Sequence, residues 1–396
     1  MGVAADLRGA ARLATDATAG LADLVEAMHE RIARLPGTGA TLDGRTRGVT
    51  GLVYKTVRGV TRITGGTIDS LPGLLTPALR SYPPSRERDA IVAALNGVLG
   101  DYLEASGNPL ATAMDLRCDG RALALERDAL AASLLAASGR LLVLLHGLCM
   151  NDRQWLREGH DHGAALAHDL GYTPVYLRYN SGLHVSINGR SFARQIDRLV
   201  DAWPQPLQRL AIVAHSMGGL VARSALHYGA QDGQRWTTRL DDLVFLGTPH
   251  HGAPLERAGH RFHSMLGATP YAAPLARLGR VRSAGITDLR HGHLLDEDWA
   301  GRDRFAPGDD RRRPVPLPEA VRCHALAGSL GAHGGRRKRR QLGDGLVPLA
   351  SALGRHADAA RTLAFPAERQ WIGHGMNHFD LLGRPEVYAR LKKCLE

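Results

Sequence analysis

A serine flanked by small residues ends one apolar run of the sequence. Residues 214–219 read AHSMGG, after RLAIV and before LVARSAL. Where a strand turns sharply into a helix, backbone segments lie close together, so the positions two before and two after the turn residue must be small. They are Ala214 and Gly218. Although serine and glycine are also common in ordinary strand-to-helix turns, this is the nucleophile-elbow pattern G-x-S-x-G with alanine at the first glycine, and it makes Ser216 a candidate nucleophile.

A serine hydroxyl is a poor nucleophile, so it needs a general base and an acid that orients the base. In an α/β sheet, reactive groups collect beyond the carboxyl ends of the strands. Asp344, in GDGLVP, follows a predicted strand at 321–328, and His378, in GMNHFDLLG, follows a predicted strand at 361–365. The order and placement of Ser216, Asp344 and His378 therefore predict a catalytic triad.

Other residues compete for the roles of acid and base. His374 also lies past the last predicted strand, but only His378 directly precedes the apolar run FDLL. Asp344 could alternatively form a simple Asp-Gly turn. Four further aspartates fit less well, two because they precede their strand and two because they lie in a long insertion: Asp241, Asp242, Asp296 and Asp298.

The run LLVLLHGLCMNDRQW predicts a loop that helps to bind an oxyanion. One donor would be the backbone N–H of Met217, which follows the serine. The turn at His146 and Gly147 offers the N–H of Leu148 as the second donor. We expect His146 to support this loop by hydrogen bonding rather than to titrate in catalysis, and Cys149 to pack rather than to react.

These residues need a sheet that places them at one edge, and the sequence predicts one from about residue 112. Short apolar runs alternate with helical stretches, which is typical of a mainly parallel sheet with helices on both faces. An Asp-Gly turn between the first two runs predicts a hairpin. The strand-like runs are ATAMDLRC, RALALE, LLVLL (141–145), PVYLRY (174–179), LAIVA (210–214), LVFLG (243–247), VRCHALAG (321–328) and RTLAF (361–365).

The preceding hundred residues have helical periodicity instead. The third predicted helix begins after Ser85 and ends before SGNP. We therefore predict an N-terminal helical segment at 1–105 and an α/β domain at 106–396, with an insertion at about 253–318 that forms a lid or cap. The apolar stripes of the N-terminal helices most simply pack on each other or on the next domain, although a membrane-surface or lid role is the alternative.

The net charge of +11 is concentrated in two runs, RRR (311–313) and RRKRR (336–340). Both lie in sequence rich in glycine and proline, not on a recognition helix or an aromatic-studded sheet, so we predict no nucleic-acid binding. The runs either steer the protein to an anionic membrane surface or are solvated loops.

Cysteine and histidine usage gives no sign of a metal or a disulfide. The four cysteines are scattered without a CxxC pair, and the spacing in HRFH and HGHLLDEDW matches no metal site. The sequence shows neither a signal peptide nor a membrane-spanning run. We therefore expect a cytoplasmic protein without a metal or cofactor.

Five motifs together resemble the α/β-hydrolase superfamily, in its lipase and GPI-inositol-deacylase-like esterase branch. They are HGLCMNDRQW, AHSMGGLVAR, FLGTPHHGAPLE, GDGLVP and NHFDLLGRPEVY, and they span roughly 141–388 in the expected order. The resemblance implies Ser216 as nucleophile, Asp344 as acid and His378 as base, with oxyanion donors at Leu148 and Met217. Members of this branch hydrolyse acyl esters.

The sequence thus predicts a serine esterase or lipase that acts on an ester or lipid through an acyl-enzyme. Two alternatives stay open. The same triad could transfer the acyl group to an alcohol or thiol, or the chain could be a catalytically idle membrane- or protein-binding module whose N-terminal helices carry the function. The identity of the ester is not encoded in any motif, because the pocket walls would come from the insertion.

Overall fold

The computed structural model describes residues 86–253, 283–302, 312–331 and 343–396. Three sequence-based predictions lie partly or wholly outside these residues. They concern the two helices before residue 86, most of the lid insertion, namely 254–282 and 303–311, and the basic run 336–340.

The described part contains an eight-stranded, mainly parallel sheet in the order β2-β1-β4-β3-β5-β6-β7-β8. Strand β1 pairs antiparallel with β2 and β4, and every other neighbouring pair is parallel. This confirms the α/β fold class and the predicted hairpin. The strands are β1 (Asp115–Cys118), β2 (Arg121–Ala122), β3 (Arg140–Leu145), β4 (Thr173–Arg178), β5 (Arg209–His215), β6 (Leu240–Leu246), β7 (Arg322–Ser329) and β8 (Gln370–His374).

Helices cover both faces of the sheet, as expected for a mainly parallel sheet whose central strands contain apolar runs. The helices α1, α4, α5 and α6 contribute to the apolar core on one face, and α3 and α9 contribute to the core on the other. The helices are α1 (Arg86–Ala105), α2 (Arg127–Ser133), α3 (His162–Leu170), α4 (Val185–Asp201), α5 (Met217–Gln231), α6 (Ala284–His291), α7 (Asp296–Trp299), α8 (Leu349–Ala352) and α9 (Pro385–Leu395).

The strand predicted at 361–365 is wrong. Leu363 and Phe365 are buried, but Leu363 donates its N–H to the carbonyl of Gly354 instead of pairing in the sheet. The last strand is β8, which pairs only with β7 and is partly exposed. An edge strand with one neighbour needs no continuous apolar run, so QWIGH carries little strand signal.

Helix α1 forms after Ser85, where the sequence predicts the start of a helix. Its apolar residues, Leu95, Val98 and Leu103 among them, are buried in the same core as the sheet. Helix α1 also packs closely against Cys149 at Gly97, where a Cβ atom would lie 3.0 Å from the backbone N and Cα of Cys149. The last described helix of the N-terminal segment thus contacts the loop after β3. The domain boundary at residue 105 stays a prediction.

Candidate active site

Ser216 lies in a strained turn between β5 and α5. Its φ of 55° and ψ of −122° are unusual for a residue with a side chain, and such backbone strain is typical of functional turns. The backbone N–H of Ser216 donates to the carbonyl of Leu246 at 2.9 Å, which ties the turn to the end of β6. Ser216 is buried, with 7% of the residue exposed to solvent. The hydroxyl is therefore held at the carboxyl edge of the sheet.

The small residues after Ser216 are required by close packing. A Cβ atom on Gly218 would lie 2.5 Å from the carbonyl oxygen of Leu145, and one on Gly219 would overlap the Thr248 hydroxyl. Ala214 is fully buried on β5, so its methyl group is accommodated where the G-x-S-x-G pattern has glycine. These contacts give the physical reason for the sequence pattern.

His378 and Asp344 are joined by a short hydrogen bond. The imidazole Nδ1 of His378 lies 2.7 Å from Oδ2 of Asp344, and both side chains are buried. The backbone N–H of His378 also donates to the Asp344 carbonyl at 3.1 Å. Because a carboxylate only accepts, the bond places the proton on Nδ1 and leaves Nε2 as the basic nitrogen.

The turn before α8 fixes the orientation of the Asp344 carboxylate. Its Oδ1 accepts the backbone N–H groups of Leu346 at 3.0 Å and Val347 at 2.8 Å, which leaves Oδ2 for the histidine. A Cβ atom on Gly328, in β7, would lie 2.9 Å from Cβ of Asp344, so the turn packs directly on the sheet. The imidazole of His378 in turn lies against Gly247, just past the end of β6.

The loop after β3 approaches Ser216 closely. A Cβ atom on Gly147 would lie 3.0 Å from Cβ of Ser216. Two residues later Cys149 has a φ of 60°, and its N–H donates to the Ser181 hydroxyl at 3.1 Å. Within the described part of the chain, the N–H groups of Leu148 and Met217 have no intramolecular acceptor. Both amides are thus available beside the serine.

His146 is buried under this loop. Its ring stacks on Tyr179 with centroids 4.3 Å apart, and its Nδ1 donates to the carbonyl of Gly147 at 2.9 Å. Burial lowers the pKa of His146 to about 4, so the ring is neutral at physiological pH. The Tyr179 hydroxyl donates to the His146 carbonyl at 2.8 Å. The ring and the hydroxyl together hold the loop in shape.

His215 is a neighbour of the site that the sequence reasoning did not single out. Its ring centroid lies 4.6 Å from that of His378, and its Nε2 donates to the His378 carbonyl at 3.3 Å. Burial, followed by the proximity of His378, holds the pKa of His215 well below its usual range. A neutral ring here adds no charge that would repel a protonated His378. In the sequence, the one indication of this neighbour was its position directly before Ser216.

The competing residues lie elsewhere. The Nδ1 of His374 faces the Gly331 carbonyl at 3.3 Å, and Asp242 lies near the amino end of β6, where it binds Arg209 and Arg322. In the insertion, Asp298 accepts the N–H groups of Leu294 and Leu295.

Four cysteine thiols are free, and burial raises the pKa of the Cys149 thiol to about 12. This thiol is therefore protonated and unreactive at neutral pH. Among the described residues, no group of three or more His, Cys, Asp or Glu side chains could hold a metal ion. Nor does any described helix have the length and apolar character needed to cross a membrane.

Residues 136–312 match the family model of the PGAP1-like alpha/beta domain. The matched range includes the loop after β3 and Ser216, and it ends before Asp344 and His378. Together with the strand order, the match confirms the α/β fold class and agrees with the resemblance of the motifs to the α/β-hydrolase superfamily. No curated protein sequence matches the chain significantly.

Several solved structures are similar to this chain at low identity. The mature lipase BlEst2 of Bacillus licheniformis is 18% identical, with 64% of this chain and 91% of that chain covered and a TM-score of 0.40. Aspergillus fumigatus lipase B is 15% identical, with 85% and 70% covered and a TM-score of 0.39. The esterase Pf2001 of Pyrococcus furiosus is 14% identical, with 66% and 81% covered and a TM-score of 0.36.

Proposed function

We propose that this protein is a serine hydrolase that cleaves carboxylic esters through an acyl-enzyme. Ser216 is the nucleophile, His378 is the general base and Asp344 orients the histidine. The observation that carries the proposal is the 2.7 Å bond between Nδ1 of His378 and Asp344, at the sheet edge that also holds a serine in a strained turn.

The first half-reaction forms the acyl-enzyme. Nε2 of His378 removes the hydroxyl proton of Ser216 while the oxygen attacks the ester carbonyl. The negative charge that develops on the carbonyl oxygen is stabilised by the N–H groups of Leu148 and Met217. When the tetrahedral intermediate collapses, the carbon–oxygen bond to the alcohol breaks, and the alcohol leaves with the proton from His378.

The second half-reaction regenerates the enzyme. His378 takes a proton from a water molecule, which attacks the acyl carbonyl, and Ser216 leaves with the proton returned by the imidazole. An alcohol or thiol in place of water would make the enzyme an acyltransferase with the same intermediate. Product analysis separates the two, because adding an alcohol acceptor would convert most of the acid product into a new ester only in the second case.

A fluorophosphonate probe tests the nucleophile directly, because only an activated serine is labelled quickly. We expect rapid labelling of the wild type and none of Ser216→Ala, which should fold normally and lose roughly 10⁴-fold or more in kcat. Ser224→Ala is the matched control, since Ser224 lies on α5 and its hydroxyl bonds the Leu294 carbonyl. Unchanged ester turnover in Ser216→Ala would reject the proposal. It would also be rejected if the wild type hydrolysed none of the esters tested.

The insertion at about 253–318 is proposed as a lid over this site. Its described helix α6 is buried in the main core and packs near the serine, because a Cβ atom on Gly285 would lie 3.0 Å from the terminal methyl carbon of Met217, so α6 would anchor the lid beside the site. A lid that opens on lipid should make the rate jump when a poorly soluble ester passes its aggregation threshold. A smooth hyperbolic curve through that threshold would indicate an open site, and the substrate would then be a soluble ester.

A further inference from the structure

A pocket with positive charge lies beside α5, away from the proposed triad. The pocket is lined by Arg223, which lies seven residues after Ser216 on the same helix, about 10 Å along the helix axis at 1.5 Å per residue. The pocket is small, about 30 Å³, so it suits a compact group. Its other cationic and imidazole residues are His250, His251, Arg312, Arg313 and Arg361.

Arg223 is a deeply buried cation whose partners are all neutral. Only 5% of it is exposed. One terminal nitrogen donates to the Val315 carbonyl at 2.5 Å, the other lies 3.5 Å from Nδ1 of His250, and Nε has no hydrogen-bond partner. In the described part of the chain no carboxylate bonds this guanidinium, and Asp298 acts on it only at longer range. Buried charges are normally paired, so this arrangement is unusual.

His250, which also lines the pocket, carries a second buried donor. It is 1% exposed, and its Nδ1 faces the Arg223 guanidinium, which can only donate. The imidazole proton therefore lies on Nε2, which has no hydrogen-bond partner. Burial, followed by the charge of Arg223, holds the pKa of His250 well below its usual range, so the ring is neutral. Two of the residues that line the pocket thus each carry a buried N–H donor without an acceptor.

Arginines also line the mouth of the pocket. Arg312 donates to the Gly292 carbonyl at 3.1 Å and lies 3.5 Å from that of His250, so its guanidinium is anchored at the rim. Arg361 pairs with Asp358 at 3.3 Å. Burial and then Arg312 lower the pKa of Arg223 to about 10, which still leaves it charged at neutral pH.

We propose that Arg223, His250 and Arg312 form a binding site for a phosphate group. A tetrahedral oxyanion has several acceptor oxygens for guanidinium N–H groups, and its charge offsets that of the buried Arg223, which has no carboxylate partner among the described residues. The size of the pocket limits the occupant to inorganic phosphate or to the terminal phosphate of a larger molecule such as a lipid headgroup. Both sources share the chemistry that the pocket recognises.

Calorimetric titration with inorganic phosphate, at constant ionic strength, tests the site without reference to ester hydrolysis. We expect saturable one-to-one binding to the wild type. Arg312→Gln should weaken binding at least about tenfold, the effect of losing one charge-assisted hydrogen bond. It leaves the buried Arg223 in place, so folding should survive. Arg355→Gln is the matched control, because Arg355 is exposed, lies outside the pocket and bonds Gln370. Absence of saturable binding to the wild type, or equal binding to all three proteins, would overturn the proposal.

Vesicle sedimentation then identifies the source of the phosphate. Phosphatidylcholine vesicles with and without phosphatidic acid are compared for the wild type, Arg312→Gln and Arg355→Gln. Sedimentation that needs phosphatidic acid, is competed by inorganic phosphate and is lost only in Arg312→Gln would assign a lipid headgroup. Binding of inorganic phosphate without such sedimentation would assign a soluble phosphate. Either result supports the site, whereas sedimentation that Arg312→Gln leaves unchanged argues against Arg312 as a ligand.

Discussion

Asp344→Asn tests the proposed orienting role of the carboxylate, because the two side chains have nearly the same shape. In the wild type, Oδ1 accepts the N–H groups of Leu346 and Val347, and Oδ2 accepts Nδ1–H of His378. An asparagine must keep its oxygen toward the two N–H donors, since its NH₂ group would otherwise oppose them. The NH₂ group therefore faces the imidazole.

This orientation reverses the tautomer of His378. Nδ1 must now accept a hydrogen bond, so the proton moves to Nε2, and the ring cannot take the proton of Ser216. The corresponding change in a serine protease lowers kcat by about 10⁴. At about 1.36 kcal/mol for each tenfold change, the barrier rises by about 5.4 kcal/mol. We expect a loss of this size here, with little change in KM.

Steady-state hydrolysis of a p-nitrophenyl ester and the rate of fluorophosphonate labelling measure the effect. Asp298→Asn is a matched control: this aspartate is equally buried and accepts the backbone N–H groups of Leu294 and Leu295. It should affect Tm without a comparable loss in kcat. The reasoning is refuted if Asp344→Asn keeps kcat within about tenfold of the wild type, or if Asp298→Asn loses as much.

Three further perturbations separate the remaining alternatives. His378→Ala should abolish turnover and His374→Ala should only weaken it, and the reverse result in the same ester assay would move the base to His374. Gly97→Ala should force the Cys149 thiol aside, which should lower kcat and lower Tm by an amount equivalent to about 1–3 kcal/mol of stability. An unchanged Tm and kcat would show that α1 does not hold the loop after β3. Neutral replacements at 336–340 should remove the salt dependence of kcat/KM on anionic but not on neutral ester vesicles, and an equal response of both substrates would make this run ordinary solvated surface.

Much of the fold was predictable because its signals are local. The central parallel strands β3, β5 and β6 contain apolar runs that are buried on both faces, so the sequence shows them directly. The elbow at Ser216 is also local, since Gly218 and Gly219 are small for reasons that lie within one turn and its nearest neighbours. The rule that reactive groups collect at the carboxyl ends of strands placed Ser216 and Asp344 at the sheet edge, whereas it placed His378 there from a run, 361–365, that is not a strand.

Other features depend on contacts between distant parts of the chain, which no local pattern encodes. The sequence predicted the apolar run 361–365 as the last strand, but the last strand is β8. Because β8 pairs with a single neighbour, it does not need apolar residues, and its sequence carries little strand signal. Only the tertiary structure brings His215 against His378. The same holds for Arg223, which reads as one polar position in a helix until packing buries it beside His250. Periodicity thus determined the elements and their order, whereas long-range packing decided which polar side chains lost contact with water and which partners they met.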